Sequence, residues 1–170
     1  AQTLEESQLN LTELKYLDAL YKAGAAPYFD ILSANAYGFE FPPDASPDPK
    51  TLNFGRLQLL RQVMEQAGDK NKPIWFNEFG WNASPESMPA DKLIWRRVTE
   101  EQQGAYTADA IRLSRQWGWV GVLNIWFFRQ VGDFPVDRSD YYFRIIDLDF
   151  TPRVIFNSLK TLHDQIGRSE

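Results

Sequence analysis

One carboxylate in this sequence ends an apolar run, where a carboxylate is costly. In Lys72-Pro73-Ile74-Trp75-Phe76-Asn77-Glu78-Phe79-Gly80-Trp81, three β-forming residues follow Pro73 and lead straight into Asn77-Glu78. Pro73 suits the first residue of a strand, and Ile74-Trp75-Phe76 suits its body. A carboxylate closing a buried strand must face a polar cavity or solvent, because burying it unpaired is expensive. In a cavity, Glu78 could attack or exchange protons; in solvent it is an inert strand end. Two further apolar runs close on polar or aromatic residues, Ser33-Ala34-Asn35-Ala36-Tyr37 and Asn124-Ile125-Trp126-Phe127. Aromatics make up 15% of the chain, and several of its six Trp fall in stretches that read as loops. Loop aromatics beside carboxylates suit sugars, whose apolar faces stack while their hydroxyls donate hydrogen bonds.

Composition narrows the remaining classes. The 170 residues, 44% hydrophobic, can hold a single domain spanning 1–170 with a sizeable core. A net charge of -5 argues against nucleic-acid or anionic-membrane partners. There is no cysteine, which excludes disulfides, thiolate metal sites and cysteine nucleophiles. No apolar run reaches the roughly 18 residues of a membrane span. Ala1 to Asn10 is polar and acidic, unlike a signal peptide. Localisation stays open, with secretion following if a signal peptide lies upstream of a longer chain.

The elements that would position these strand ends alternate along the chain. Asn10-Leu11-Thr12-Glu13 reads as a capping box, followed by Leu14, Leu17, Leu20 and Tyr21 at helical spacing up to Gly24. A strand is expected within Tyr28–Gly38. Glu40–Thr51, with four prolines, reads as a loop. A helix over Asn53–Gly68 precedes the Glu78 strand, and a long loop from Asn82 to Val98 follows it. Thr99 to Gln102 is a second capping box, opening a helix that carries Tyr106, Ala110, Ile111 and Ser114 on one face. Val120–Phe127 is apolar enough for a strand buried on both faces. After an Arg129–Tyr142 loop and an extended piece over Phe143–Phe150, Thr151 and Pro152 read as the cap and first residue of a last helix.

Alternating helices and strands imply parallel βα units with right-handed crossovers. An open doubly wound sheet would show a glycine-rich phosphate turn, and no G-x-G-x-x-G occurs here. Each strand instead ends in polar or aromatic residues before a loop, as in a (β/α)8 barrel. A full barrel takes eight strands and roughly 250 residues. The expected fold is therefore α/β, a partial TIM barrel of about strands six to eight with flanking helices. The missing amino-terminal half, or a second copy, would complete it.

Trp75-Phe76-Asn77-Glu78-Phe79-Gly80-Trp81 resembles strand seven of clan A glycoside hydrolases, near families 5 and 39. Ser33–Tyr37 resembles strand six, and Asn124–Phe127 resembles strand eight. The resemblance runs over about Tyr28 to Leu162. It implies a retaining hydrolase of β-linked poly- or oligosaccharides, cellulase-like, with Glu78 as nucleophile and no cofactor or metal. By the same resemblance Tyr37 hydrogen-bonds the nucleophile, and Trp126 floors the sugar subsite at the cleaved bond. Asn35 stands where many members carry histidine. The clan's proton donor closes strand four as an Asn-Glu, about 5 Å from the nucleophile in retaining enzymes. The only Asn-Glu here is Asn77-Glu78, so these residues hold half of the machinery.

Further candidates lie near the same strand ends and in the loops. Trp81 and Asn82 follow Glu78 and could reach a neighbouring subsite, as could Arg129 and Gln130 beyond strand eight. Asn82-Ala83-Ser84 matches a glycosylation acceptor. Asp133, Asp137 and Asp140 lack the glycine-marked spacing of a calcium loop and read as a solvated acidic loop. His163, the single histidine, excludes a Ser-His-Asp triad at any strand end. Two other readings stand beside the hydrolase: a non-catalytic carbohydrate-binding or assembly module on an incomplete barrel, and an unrelated α/β domain with an incidental Glu78.

Overall fold

A computed structural model describes residues 3–168. Four helices alternate with three strands: α1 Glu13–Lys22, β1 Leu32–Tyr37, α2 Leu57–Gln66, β2 Ile74–Gly80, α3 Glu100–Trp117, β3 Val120–Ile125 and α4 Val154–Ile166. The strands form one parallel sheet in the order β1-β2-β3. The architecture is α/β, with the expected helix–strand alternation throughout. Among the described residues no helix is long and apolar enough to cross a membrane.

The core lies between the sheet and the helices. Ile74, Phe76 and Phe79 of β2 pack with Leu57, Leu60 and Met64 of α2, Leu17 of α1 and Ala110 of α3. Phe54, fully buried, sits among four aromatic rings: Phe76, Phe79, Trp81 and Trp117, at centroid distances of 5.5 to 6.3 Å. A second cluster holds α4 through Ile145, Ile146 and Ile155. Helix α3 approaches α4 at Gly104, where an added Cβ would lie 2.5 Å from Ser158 Oγ.

Several element ends differ from the sequence reading, each for a local reason. Thr12, not Asn10, caps α1 and accepts from the Lys15 amide. Pro27 sits in a 3-10 turn, Ala26–Tyr28, so β1 starts at Leu32. Asn53 caps a 3-10 turn, Phe54–Arg56, that leads into α2. The buried Arg56 ion-pairs with Glu13 and donates to the Asp48 and Pro49 carbonyls, tying the proline-rich loop to α1. The Thr99–Gln102 capping box forms as expected. The end of the expected Arg129–Tyr142 loop forms a 3-10 segment, Ser139–Phe143, which takes in the first residue of the expected extended piece. Thr151 and Pro152 do not open α4, because Pro152 bridges Ile146 and the Arg153 amide donates to Ile145; the helix starts at Val154.

Strand β3 is not buried on both faces. It is an outer strand, with Gly121, Val122 and Asn124 exposed. On the same uncovered face Trp75 of β2 is 39% exposed, and its indole lies where a Gly121 Cβ would intrude, at 2.4 Å. Helices cover the other face.

Phe54→Ala is expected to cost about 3–5 kcal/mol of unfolding free energy, the range for removing a buried aromatic. Tyr28→Ala, at an exposed ring, should stay within about 0.5 kcal/mol of the native value. Urea unfolding of the two variants checks the contrast, and equal losses would contradict this account of the core.

Candidate active site

Strand β2 carries a bulge just before its carboxylate. Ala34 pairs with Phe76, but the next residue, Asn35, pairs with Glu78, so Asn77 is left over. Such an extra residue re-aims the side chains beyond it. Asn35 and Tyr37, two apart, point to one side of β1. Both reach Glu78: the Tyr37 hydroxyl donates to Oε2 at 2.6 Å and Asn35 Nδ2 donates to the same oxygen at 3.2 Å. Asn35 therefore makes a polar contact with the carboxylate. Among the described residues, no hydrogen bond falls on Oε1.

The two strand ends are also locked by their backbones. Gly38 N–H donates to Gly80 O at 3.2 Å, and Trp81 Nε1 donates to Phe41 O at 2.7 Å. The indole of Trp81 passes so close to Gly38 that a Cβ there would lie 1.9 Å from it. Only a glycine after Tyr37 leaves room for this contact. Trp81 is thus 1% exposed, ringed by Phe54 and Tyr106, and does not reach a subsite. Asn82 is fully buried as well, since its amide donates to Ser139 O and its carbonyl accepts from the Ser84 amide and hydroxyl. It joins the loops after β2 and β3 and is closed to sugar and to glycosylation in the folded protein.

Trp126 follows β3 at the same end of the sheet. Its amide donates to Phe79 O at 2.9 Å, one residue beyond Glu78, and its side chain is 39% exposed. The Trp126–Phe127 peptide is cis. Arg129 turns elsewhere: it donates to Leu148 O at 3.3 Å and lies over the Phe150 ring. Gln130, beside it, is partly exposed. The loop aspartates do not converge, as Asp137 pairs with Lys92 and Asp140 with Arg138. His163 is exposed on α4 beside Asp164. Among the described residues no group of His, Cys, Asp and Glu could hold a metal.

Two residues at the site escape sequence reasoning. Trp95, from the loop after β2, and Phe143, from the segment before α4, flank the Tyr37 ring at 4.6 and 5.3 Å. Neither has a helical or strand period to announce it. A cleft of about 700 Å³ opens away from Glu78, lined by Ser84, Arg97, Tyr142, Arg144 and Arg153 among others. Buried Arg144 pairs with Asp147, and partly buried Arg153 pairs with Glu100 and Asp147 through its terminal nitrogens.

Burial first, then the hydrogen bond to Glu78 and its charge, raises the Tyr37 phenol well above its ordinary range. Tyr37 is therefore a standing donor to Glu78, not an acid that exchanges its proton near neutrality.

No family model matches the chain, and no curated protein matches it. Solved structures of similar fold include glycoside hydrolases. A family 39 glycoside hydrolase from Bacteroides cellulosilyticus WH2 superposes with a TM-score of 0.62 and 22% identity, over 85% of this chain and 29% of that one. A GH2 β-galacturonidase from Eisenbergiella tayi gives 0.53 and 17% over 80% and 24%. The Bifidobacterium dentium β-glucuronidase gives 0.52 and 19% over 79% and 20%. The chain spans less than a third of the length of each of these structures. At these identities the likeness establishes a glycoside-hydrolase-like fold.

The Tyr37 shift has a stability consequence. Its pKa is raised in the folded chain relative to about 10 in the unfolded chain, so the folded state holds the proton more tightly. That contribution is complete below about pH 10 and is lost as pH rises beyond it. Tyr21, raised by burial and then by Asp69, acts in the same direction. Tyr37→Phe should make the alkaline fall in stability shallower, read by urea unfolding at steps from about pH 9 to 11. Identical slopes in native and variant would refute it.

Proposed function

We propose that this chain is the carboxyl-terminal part of a retaining glycoside hydrolase barrel, strands six to eight with their helices, acting on β-linked poly- or oligosaccharides. The observation that carries the reading is the asymmetry at Glu78. Tyr37 and Asn35 both hold Oε2, and among the described residues none hydrogen-bonds Oε1, the oxygen this reading assigns to attack.

In this mechanism Oε1 attacks the anomeric carbon as the bond to the leaving oxygen breaks, giving a glycosyl–Glu78 ester. The leaving oxygen takes a proton from a second carboxylic acid, which on this reading lies outside these 170 residues. Water, deprotonated by that same group, then cleaves the ester and restores Glu78. Tyr37 donates to Oε2 throughout and fixes the carboxylate's rotation. Trp126, at the neighbouring strand end and partly exposed, offers a face for the sugar ring.

The three parallel strands support a piece of barrel. Helices cover one face, each outer strand pairs on one side alone among the described residues, and the other face exposes Trp75 and Val122. Further strands, from an amino-terminal half or a second copy, would continue the sheet. The same exposed Trp75 and Trp126 favour the second reading, a carbohydrate-binding or assembly module without chemistry.

Without the proton donor, worth roughly 10²–10⁴-fold, the 170-residue chain should show little or no hydrolysis of aryl β-glycosides. Joined to a segment that supplies the acid, it should hydrolyse them and lose that activity in Glu78→Gln. Turnover by the 170 residues alone that vanished in Glu78→Gln would overturn the missing-donor claim. Saturable glycan binding unaffected by Glu78→Ala, with no hydrolysis by the joined chain, would establish the binding module instead.

A further inference from the structure

Tyr37 is held at both ends, and the two restraints come from different parts of the chain. Its hydroxyl is fixed by Glu78. Its ring is closed in by Trp95 at 4.6 Å and by Phe143 at 5.3 Å, and those two rings meet edge to face at 5.8 Å. The three form a triangle, so Tyr37 cannot swing off Glu78 without displacing one of its neighbours. Phe143 is 2% exposed and lies in packed surroundings. Trp95 is different: it is partly buried, on a long irregular loop, and its ring partners are Tyr37, Phe143 and Phe39.

The backbone around Trp95 shows what this contact requires. Arg96, immediately after it, has a φ of 57°, and Phe39, two residues after Tyr37, has a φ of 55°. Both are left-handed conformations that side chains with a Cβ adopt at a cost. Such outliers persist where surrounding contacts hold them, and they gather at working sites. Here one lies on each side of the Tyr37–Trp95 contact, and Glu40 and Arg96 face each other across the same two loops at 3.9 Å. The loop also turns Trp95 inward while leaving its neighbour Ile94 70% exposed. Trp95 is thus partly covered against Tyr37 while the residue before it stays in solvent and the residue after it is left-handed.

We infer that Trp95 is a positioning residue that clamps the Tyr37 ring and so keeps the phenol on Glu78 Oε2, with Oε1 free. The inference rests on reading Glu78 and Tyr37 as the working pair. Trp95 acts through Tyr37 and needs no contact with the sugar.

The test follows the Tyr37 13Cζ resonance in the 170-residue chain made with ring-labelled tyrosine, assigned by Tyr37→Phe. Native, Glu78→Gln, Trp95→Ala and the double variant form a cycle. In the native background Glu78→Gln should shift the resonance at neutral pH and lower the phenol's titration midpoint. In Trp95→Ala the midpoint should already have fallen toward about 10, and Glu78→Gln should move the resonance by less than half as much. Trp95→Phe should restore the native response, because a smaller ring still fills the clamp. Trp95→Leu, which keeps apolar bulk without a ring, replaces the alanine variant if that one does not fold. An undiminished response to Glu78→Gln in the Trp95→Ala or Trp95→Leu chain overturns the inference, even if Glu78-dependent hydrolysis is found. Lost coupling with rescue by phenylalanine sustains it, even if no glycoside is ever hydrolysed.

Discussion

A half-buried carboxylate at the end of a strand has to be solvated by the protein, and the way Glu78 meets this requirement organises the strand ends. Its partners sit on the neighbouring strand, two residues apart, so both can serve it only if the strands are in the right register. The bulge at Asn77 supplies that register. Without the extra residue, Asn35 would lie opposite Asn77 instead of Glu78. The local irregularity is thus the condition for the polar contact, and regular pairing resumes beyond it, with Ala36 opposite Phe79 and Tyr37 opposite Gly80.

The polar cluster depends in turn on an apolar one beneath it. Phe54 packs edge-on and tilted against Phe76 and Phe79 of β2 from the helix side, and Trp81 continues that layer past the strand's end. Because Trp81 presses on Gly38 and bonds Phe41, the loop leaving β1 is fixed to β2 just beyond Tyr37. Asn82 then ties the same chain segment to the loop after β3. Three strand ends are held together by buried groups, while Glu78 and Trp126 keep partial access to solvent.

Much of this was written locally in the sequence. Alternating helical spacing and short apolar runs identify the elements, and Thr99 with Gln102 marks a helix start because both halves of its cap lie within four residues. Glu78 stands out because a charge ends an apolar run, and Tyr37 because a phenol ends another. What could not be read depends on distant partners. Pro152 belongs to a bridge with Ile146 and not to a helix, and only that pairing moves the start of α4 to Val154. Trp81 looks free beside the carboxylate, yet Gly38, just past the end of β1, opens the slot that buries it. The apolar run of β3 suggests two covered faces, but apolarity records the environment a strand is suited to, and one face here is uncovered. Trp95 and Phe143 meet Tyr37 across long stretches of chain, from segments without periodicity, so nothing in their neighbourhood signals the contact.

The uncovered flanks of β1 and β3 carry a consequence for how the molecule behaves in a test tube. Among the described residues each outer strand pairs on one side only, which leaves backbone amides and carbonyls along the other, next to Trp75 and Val122 on the open face. Protein edges of this kind recruit whatever strand is nearby, and proteins usually blunt them with charge, proline or a covering element. Neither β1 nor β3 contains a lysine, a glutamate or a proline. Among the described residues, main-chain groups along two seams are therefore left for a further strand to pair with.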